Sequence, residues 1–255
     1  METVTRKPFQ GVCNIIRFNW HFYVLAAVLI MMLLIARRNV SGLLIPGIDI
    51  VLLLIGLSLT VSLAVSWYIY DHAGLYTLDW LNGVKIVAGN KLVNINAGFD
   101  ETSTLLAAKY PDAHLTVFDF YDPAKHTEVS IERARKAYPA YPGTQVISTN
   151  TLPLMPASVD VIFAILAAHE IRDRTERIAF FRELGKSLTM QGKLIVLEHL
   201  RDIPNFLAYN IGCFHFFSKK EWQHTFRDAG LVITREMKIT PFLSAFILQK
   251  NGITA

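Results

Sequence analysis

The order of apolar and polar positions divides the chain into two unlike parts. Nineteen residues without a charge lie between Arg17 and Arg37, and twenty-one more between Asp49 and Asp71. A helix needs about 20 apolar residues to cross a bilayer's hydrocarbon, so the pattern predicts two transmembrane helices, 18–36 and 50–70. Trp20 and Tyr23 open the first run, and Trp67, Tyr68 and Tyr70 close the second, where interfacial aromatics belong. A short turn, Arg38 to Gly47 with Pro46 at its end, joins them into a helical hairpin. A signal peptide fits less well: the run is long, Arg37 and Arg38 follow it, and no small-residue cleavage site is evident.

Residues 71–90 carry Tyr76, Trp80 and several leucines among few charges. They read as a membrane-proximal linker with an amphipathic helix, ending in a turn at Gly89–Asn90. Beyond it, 91–255, short apolar runs alternate with helical stretches. The runs are 91–96, 115–119, 145–148, 159–166 and 193–198, followed by 231–237 and 243–249. Near-continuous apolar runs of this length suit strands buried on both faces. Helices are expected at 100–110, 126–138, 173–190 and 218–229. In the third, Ile178, Phe181, Leu184 and Leu188 make one face, and Gly192 reads as its stop. Alternating strands and helices imply an α/β domain with a parallel sheet covered on both sides.

Composition sharpens this. The chain is 52% hydrophobic and 18% charged, too apolar for a disordered or ordinary soluble chain. The net charge of +4 forms no basic run, so no nucleic-acid partner is expected. Cys13 and Cys213 are too few and too far apart for a disulfide framework or a zinc ribbon. Lys and Arg flanking the hairpin number five on the side of both ends (Arg6, Lys7, Arg17, Lys85, Lys91) against two in the turn (Arg37, Arg38). That bias predicts both ends, and the α/β domain, in the cytoplasm; a bacterial inner membrane is the expected place of the hairpin.

In an open parallel sheet the ligand sits outside the carboxyl ends of the strands. The first strand runs into Asn94-Ile95-Asn96-Ala97-Gly98-Phe99-Asp100, a turn in which Gly98, and Asn96 as well, tolerate positive φ. The second ends at Asp119, 25 residues after Asn94, where an acid can hold ribose hydroxyls. The third is followed by Ser148-Thr149-Asn150-Thr151. The fourth and fifth end in His169-Glu170 and Glu198-His199.

This order, above all LPL…SVDVIFAILAAHEI…ERIAFFRELGKSLTMQGKLIVLEH and the later FSKKEWQHTFRDAGL, resembles the class I S-adenosylmethionine-dependent methyltransferases over about residues 91–250. The resemblance implies a Rossmann-like seven-stranded methyltransferase sheet with an antiparallel last strand, behind an α-helical transmembrane hairpin. It implies S-adenosylmethionine as cofactor, bound by Asn94, Asn96, Gly98 and Asp100 at the glycine turn, by Asp119 at the ribose, and by Ser148 and Asn150 beside the adenine. The family usually has an acid where Asn94 stands and glycine at 96 and 100.

Methyl transfer from a sulfonium needs alignment and desolvation more than covalent help, and an oxygen nucleophile needs a base. His169 is the first candidate for catalytic base and His199 the second. A His/Glu metal site has no recognised ligand spacing here, so no metal is expected. The aromatic segment 201–217 stands where the family builds substrate lids, and Arg201, Tyr209 and His215 are its candidate substrate residues. The reading is a membrane-anchored methyltransferase with a small lipophilic acceptor. The altered glycine turn carries the rival, a non-catalytic methyltransferase-fold scaffold at the membrane. A nicotinamide dehydrogenase is disfavoured because G-x-G-x-x-G is absent.

Overall fold

The computed structural model describes residues 6–126 and 128–252. Seven strands form one sheet in the order β3-β2-β1-β4-β5-β7-β6. They are β1 (Lys91–Asn96), β2 (His114–Asp119), β3 (Gln145–Val146), β4 (Val159–Ile165), β5 (Leu188–His199), β6 (Leu231–Thr240) and β7 (Leu243–Lys250). β1 to β5 run parallel, and β7 is antiparallel to both β5 and β6. The apolar runs arise because both faces are covered. Val93, Ile95, Ile162, Ala164, Leu194 and Val196 join one core cluster with Phe180, Phe181, Trp222 and Phe226. Their neighbours Leu92, Val161, Phe163, Ile195 and Leu197 join the other.

The covering helices are α4 (Ser103–Lys109), α5 (Val129–Ala137), α6 (Arg174–Ser187), α7 (Ile203–Tyr209) and α8 (Lys219–Asp228). Side-chain caps start several of them: Asp173 accepts the Glu176 N–H at 2.7 Å and Ser218 that of Glu221 at 3.2 Å. α6 stops at Ser187 rather than 190, and Gly192 lies inside β5 rather than ending a helix. The β4–β5 register slips between Val159 and Val161, and a Cβ on Gly192 would stand 3.0 Å from the Val159 carbonyl oxygen. The glycine marks a bulge where two backbones meet closely.

Three helices precede the sheet: α1 (Gln10–Phe18), α2 (Trp20–Arg38) and α3 (Leu44–Trp67), the last prolonged by a π-helical turn, Tyr68–His72. Both α2 and the extended α3 are long and apolar enough to cross a membrane, and neither is buried over its apolar window. The hairpin turn is tighter than its composition indicated. Pro46 sits in the first turn of α3, where its missing N–H costs nothing, and Arg37 pairs with Asp49 at 2.6 Å across the two helices.

α1 has no counterpart in the hydrophobic pattern. Its N-terminus is capped from a distance: Asp71 accepts the N–H groups of Gly11 at 2.7 Å and Val12 at 2.8 Å. Gly11 is required there, since a Cβ would overlap the Tyr70 Cβ. The linker 71–90 forms no amphipathic helix. After the π-helical turn ends at His72, only Asp79–Leu81 is helical, as a 3-10 turn, and Gly74 and Leu78 have φ of 72° and 57°. Leu75, Leu78, Leu81 and Val84 instead lie buried along the sheet face.

Candidate functional site

The strand order reverses between β1 and β4, so the ligand crevice opens at their carboxyl ends. On the β1 side, only Gly98 adopts positive φ, at 97°. Asn96 keeps its strand backbone and folds its amide inward, accepting from Gly98 N at 3.0 Å and donating to the Phe118 carbonyl at 3.1 Å. Asp100 caps α4 through the N–H groups of Thr102 and Ser103, both at 2.9 Å. Asn94 donates to Thr102 at 2.9 Å and Ser103 at 2.8 Å.

These bonds leave Asn94 Oδ1 and Asp100 Oδ2 buried without a partner. Arg6 pairs with Glu101 at 2.8 Å, and its Nη2 is likewise buried and unpaired. Unmet acceptors and an unmet guanidinium donor beside one turn complement an ammonium and a carboxylate, the two ends of an amino-acid group.

Asp119 ends β2 with 3% of its surface exposed. One oxygen accepts the Tyr121 N–H at 2.8 Å and the other pairs with Arg135. Arg135 also lies over the Tyr121 ring, 4.5 Å from its centroid, and crowds Gly98, where a Cβ would meet it at 3.0 Å. Ser148 and Thr149 line a cavity of about 240 Å³ with Phe120, Tyr121 and Ile147, whereas Asn150 is exposed on the turn and does not line it. A second cavity of about 530 Å³ lies beside it, between Tyr121, His126, Glu128 and Arg135. Phe18 of α1 closes over the β1 turn, 5.6 Å from Phe99, with Tyr138 5.4 Å from Phe99.

On the β4 side, His169 and His215 meet around carboxylates. His169 Nδ1 lies 2.7 Å from Glu198, and His215 Nδ1 lies 3.0 Å from Glu128. Both Nε2 atoms face Glu170 Oε1, at 3.2 Å and 3.5 Å. Burial opposes the charge on His169, but Glu198 and Glu170 outweigh it and raise its pKa well above the ordinary imidazole value. His215 moves the same way: burial opposes its charge, and Glu128 and Glu170 prevail. Burial would lift Glu170, yet the two imidazoles hold it far below the usual carboxylate range.

His199 is a different kind of histidine. Nδ1 donates to Asn205 Oδ1 at 3.1 Å, an oxygen fixed because the Asn205 amide donates to Asp202 and Phe242. Nε2 therefore accepts from the Tyr70 hydroxyl at 2.8 Å. The ring stacks on Phe216 at 4.7 Å, and burial pushes its pKa down to about 4. With both nitrogens engaged, it has no lone pair to offer an acceptor. Tyr209 packs edge-on to His199 and Phe216, its hydroxyl buried and its pKa pushed by burial up to about 12. Arg201 is exposed.

The structure thus brings His169 together with His215, expected to serve catalysis and substrate respectively, and leaves Arg201 exposed. Arg6, Glu128, Arg135 and the pairing of Glu198 escaped the sequence reading, because each joins the site from a distant segment. The strand-end spacing also gave no hint that Glu170 would gather two imidazoles.

No family model and no curated protein matches the sequence. Solved structures do share the fold. One is a chain of the Haloferax volcanii complex between the Trm112 methyltransferase activator and a methyltransferase: TM-score 0.52, 14% identity, 74% of this chain and 91% of that one. Another is a SAM-dependent methyltransferase from Leishmania major: TM-score 0.50, 14% identity, 71% and 73%. A third is an O-methyltransferase family 2 protein from Planctomyces limnophilus, solved with apigenin: TM-score 0.50, 15% identity, 76% and 60%. At this identity the likeness establishes the fold: the sheet is that of the SAM-dependent methyltransferases.

Proposed function

We propose that the chain is a membrane-anchored S-adenosylmethionine-dependent methyltransferase acting on a small lipophilic acceptor, with its catalytic domain on the cytoplasmic side of the inner membrane. The observation that carries this is the β1 turn, where Asn94 Oδ1, Asp100 Oδ2 and Arg6 Nη2 stay buried and unpaired within a methyltransferase sheet. The residues present fit the cofactor's amino-acid end despite the lost glycines. Asn94 and Asp100 would take its ammonium and Arg6 its carboxylate. Asp119 would take the ribose hydroxyls once Arg135, whose side chain is 37% exposed, turns out to solvent. Ser148 and Thr149 would flank the adenine.

When bound, S-adenosylmethionine supplies an electrophilic methyl group. The chain's part is to align the acceptor, exclude water and take up a proton. Phe18, Phe99 and Tyr138 shield the turn, and the His169–Glu170 pair, oriented by Glu198, takes up the acceptor's proton. The acceptor's lipophilic character is supported by the segment that follows β5. There Ile203, Phe206, Leu207, Ile211 and Phe214 are exposed. Asn210 of the same segment donates to Ser58 of α3 at 2.6 Å, so this apolar face adjoins the proposed membrane span.

The test is to incubate the full-length, detergent-purified protein with methyl-labelled S-adenosylmethionine and a total lipid extract. Label should enter the organic phase and fall by about 10²–10⁴-fold in His169→Ala. Label confined to water-soluble products would refute the lipophilic acceptor. The scaffold reading has one observation in its favour, Arg135 filling the space beside Gly98. It predicts a folded protein that binds no cofactor.

A further inference from the structure

We propose that His169, Glu170 and His215 form a binding site for one divalent first-row transition-metal ion. One ligand atom from each of His169, Glu170 and His215 lies within 4.8 Å of the other two. Glu170 Oε1 is 3.2 Å from one nitrogen and 3.5 Å from the other. Ligand atoms around an ion with bonds of about 2.0–2.1 Å stand about 3.3 Å apart in a tetrahedral shell. Two of the three edges are therefore already at coordination length. Side-chain adjustment sets the third, nitrogen–nitrogen edge. The Nε2 of His215 is buried and makes no hydrogen bond, although a carboxylate oxygen lies beside it.

The far side of each ring strengthens the assignment. A metal-bound histidine commonly donates its other N–H to a carboxylate, which fixes the tautomer and raises ligand basicity. Both rings do so here, His169 to Glu198 and His215 to Glu128. Arg172 ties the two segments together, donating to the His169 carbonyl at 3.1 Å and the His215 carbonyl at 2.6 Å. Three carboxylates against two imidazoles supply the negative charge a dication needs. Two nitrogens and one oxygen suit zinc, iron(II), cobalt(II) or manganese(II) better than calcium or magnesium. Three ligands also leave coordination positions open. Glu128, behind His215, lines the cavity of about 530 Å³.

This inference rests on placing the acceptor at His169, and it refines that placement. With the ion bound, His169 is a ligand, and an acceptor hydroxyl on an open position loses its proton because the ion lowers its pKa. The proton leaves to solvent or a neighbouring carboxylate, and the oxygen keeps the electron pair that attacks the methyl group.

The experiment uses full-length, tag-free protein in detergent, stripped with a chelator. It is titrated with Zn²⁺ against a chromophoric competitor and separately with Co²⁺, read by visible absorption. One ion per chain is expected, with the intense bands of low-coordinate Co²⁺. His215→Ala and Glu170→Gln should each weaken binding by at least about a hundredfold, and Glu128→Gln by about 10–100-fold. Circular dichroism confirms that each variant folds. Folded wild-type protein that binds no stoichiometric ion, or variants that bind as it does, would overturn the proposal. No cofactor is present in this titration, so its failure would leave the methyltransferase reading standing, to be judged by cofactor binding alone.

Discussion

Replacing Asp119 with asparagine separates a ribose-binding acid from a structural ion pair. Asp119 is 3% exposed, with one oxygen on the Tyr121 N–H at 2.8 Å and the other on Arg135. The amide preserves shape and the first bond, and leaves no buried unpaired charge. What it removes is the charge on the oxygens that would receive the ribose hydroxyls. Hydrogen bonds to a charged group contribute about 1.5–3 kcal/mol each. Keeping one neutral acceptor returns part of that, so the net loss is about 2 kcal/mol, or about 30-fold in Kd. Arg135→Ala should act in the opposite direction. Its side chain is 37% exposed, so the ion pair that must open is worth at most about 1 kcal/mol. Removing it should tighten S-adenosylmethionine binding by up to about fivefold. Isothermal titration of the two variants and the parent, each with a matching thermal melt, makes the measurement. If Asp119→Asn binds with parental affinity, or Arg135→Ala abolishes binding, the reasoning fails: Arg135 would then be part of the ligand site and not its stand-in.

Three further outcomes follow from the packing. His199 is buried neutral, with its pKa lowered to about 4 from 6.5, so its contribution is full above pH 6.5 and is lost as pH falls towards 4. That window is worth roughly 3 kcal/mol, and His199→Phe should flatten the melting temperature's decline across it; an unchanged pH dependence would refute the assignment. Asp71→Ala removes the remote cap of α1, which should cost about 1–2 kcal/mol and speed proteolysis ahead of Trp20; a melt and digestion pattern matching the parent would contradict it. With the native cysteines replaced by serine, Ser41→Cys in the hairpin turn should react with an impermeant thiol reagent on intact cells, while Asn150→Cys reacts only after lysis; the reverse pattern would invert the topology.

The sheet was legible in the sequence because its central strands are buried on both faces. VDVIFAI is apolar at every position but Asp160 for that reason, while in KLVNIN only Leu92, Val93 and Ile95 are. The two long helices were legible from uncharged length alone. What misled was local spacing that serves a non-local purpose. Leu75, Leu78 and Leu81 stand three apart like a helix face, yet they pave the sheet in an irregular chain held by Gly74 and Leu78 at positive φ. Gly192 has a helix-stop position but serves a bulge. α1 was invisible because its cap comes from Asp71 and its buried residues Gly11, Asn14 and Phe18 meet partners more than fifty positions away. The same packing continues through the end of the second long helix: Ile69 is fully buried, and Tyr70 bonds His199.

The site divides along the same line. Gly98 and Asp119 stand where the order of strand ends places them, since a chain that folds as β-turn-α puts such residues at the crevice by connectivity alone. Partners that arrive from other segments, Arg6 on Glu101 and Arg135 on Asp119, leave no trace in spacing. The same holds for His215, which lies 46 positions from His169 and reaches it through a 3-10 turn after α7. The two histidines at neighbouring strand ends also looked alike in sequence. Their environments make them opposites: His169 lies among carboxylates, and His199 lies between an amide, a phenol and an aromatic face.

The central claim is that this altered turn still receives S-adenosylmethionine. Calorimetric titration of S-adenosylmethionine, and separately of NADH, into the full-length detergent-purified protein tests it most directly. The account predicts one saturable site for the first, weakened by Asp119→Asn, and none for the second. A folded protein that shows no heat with millimolar S-adenosylmethionine would contradict it and leave the scaffold reading in its place.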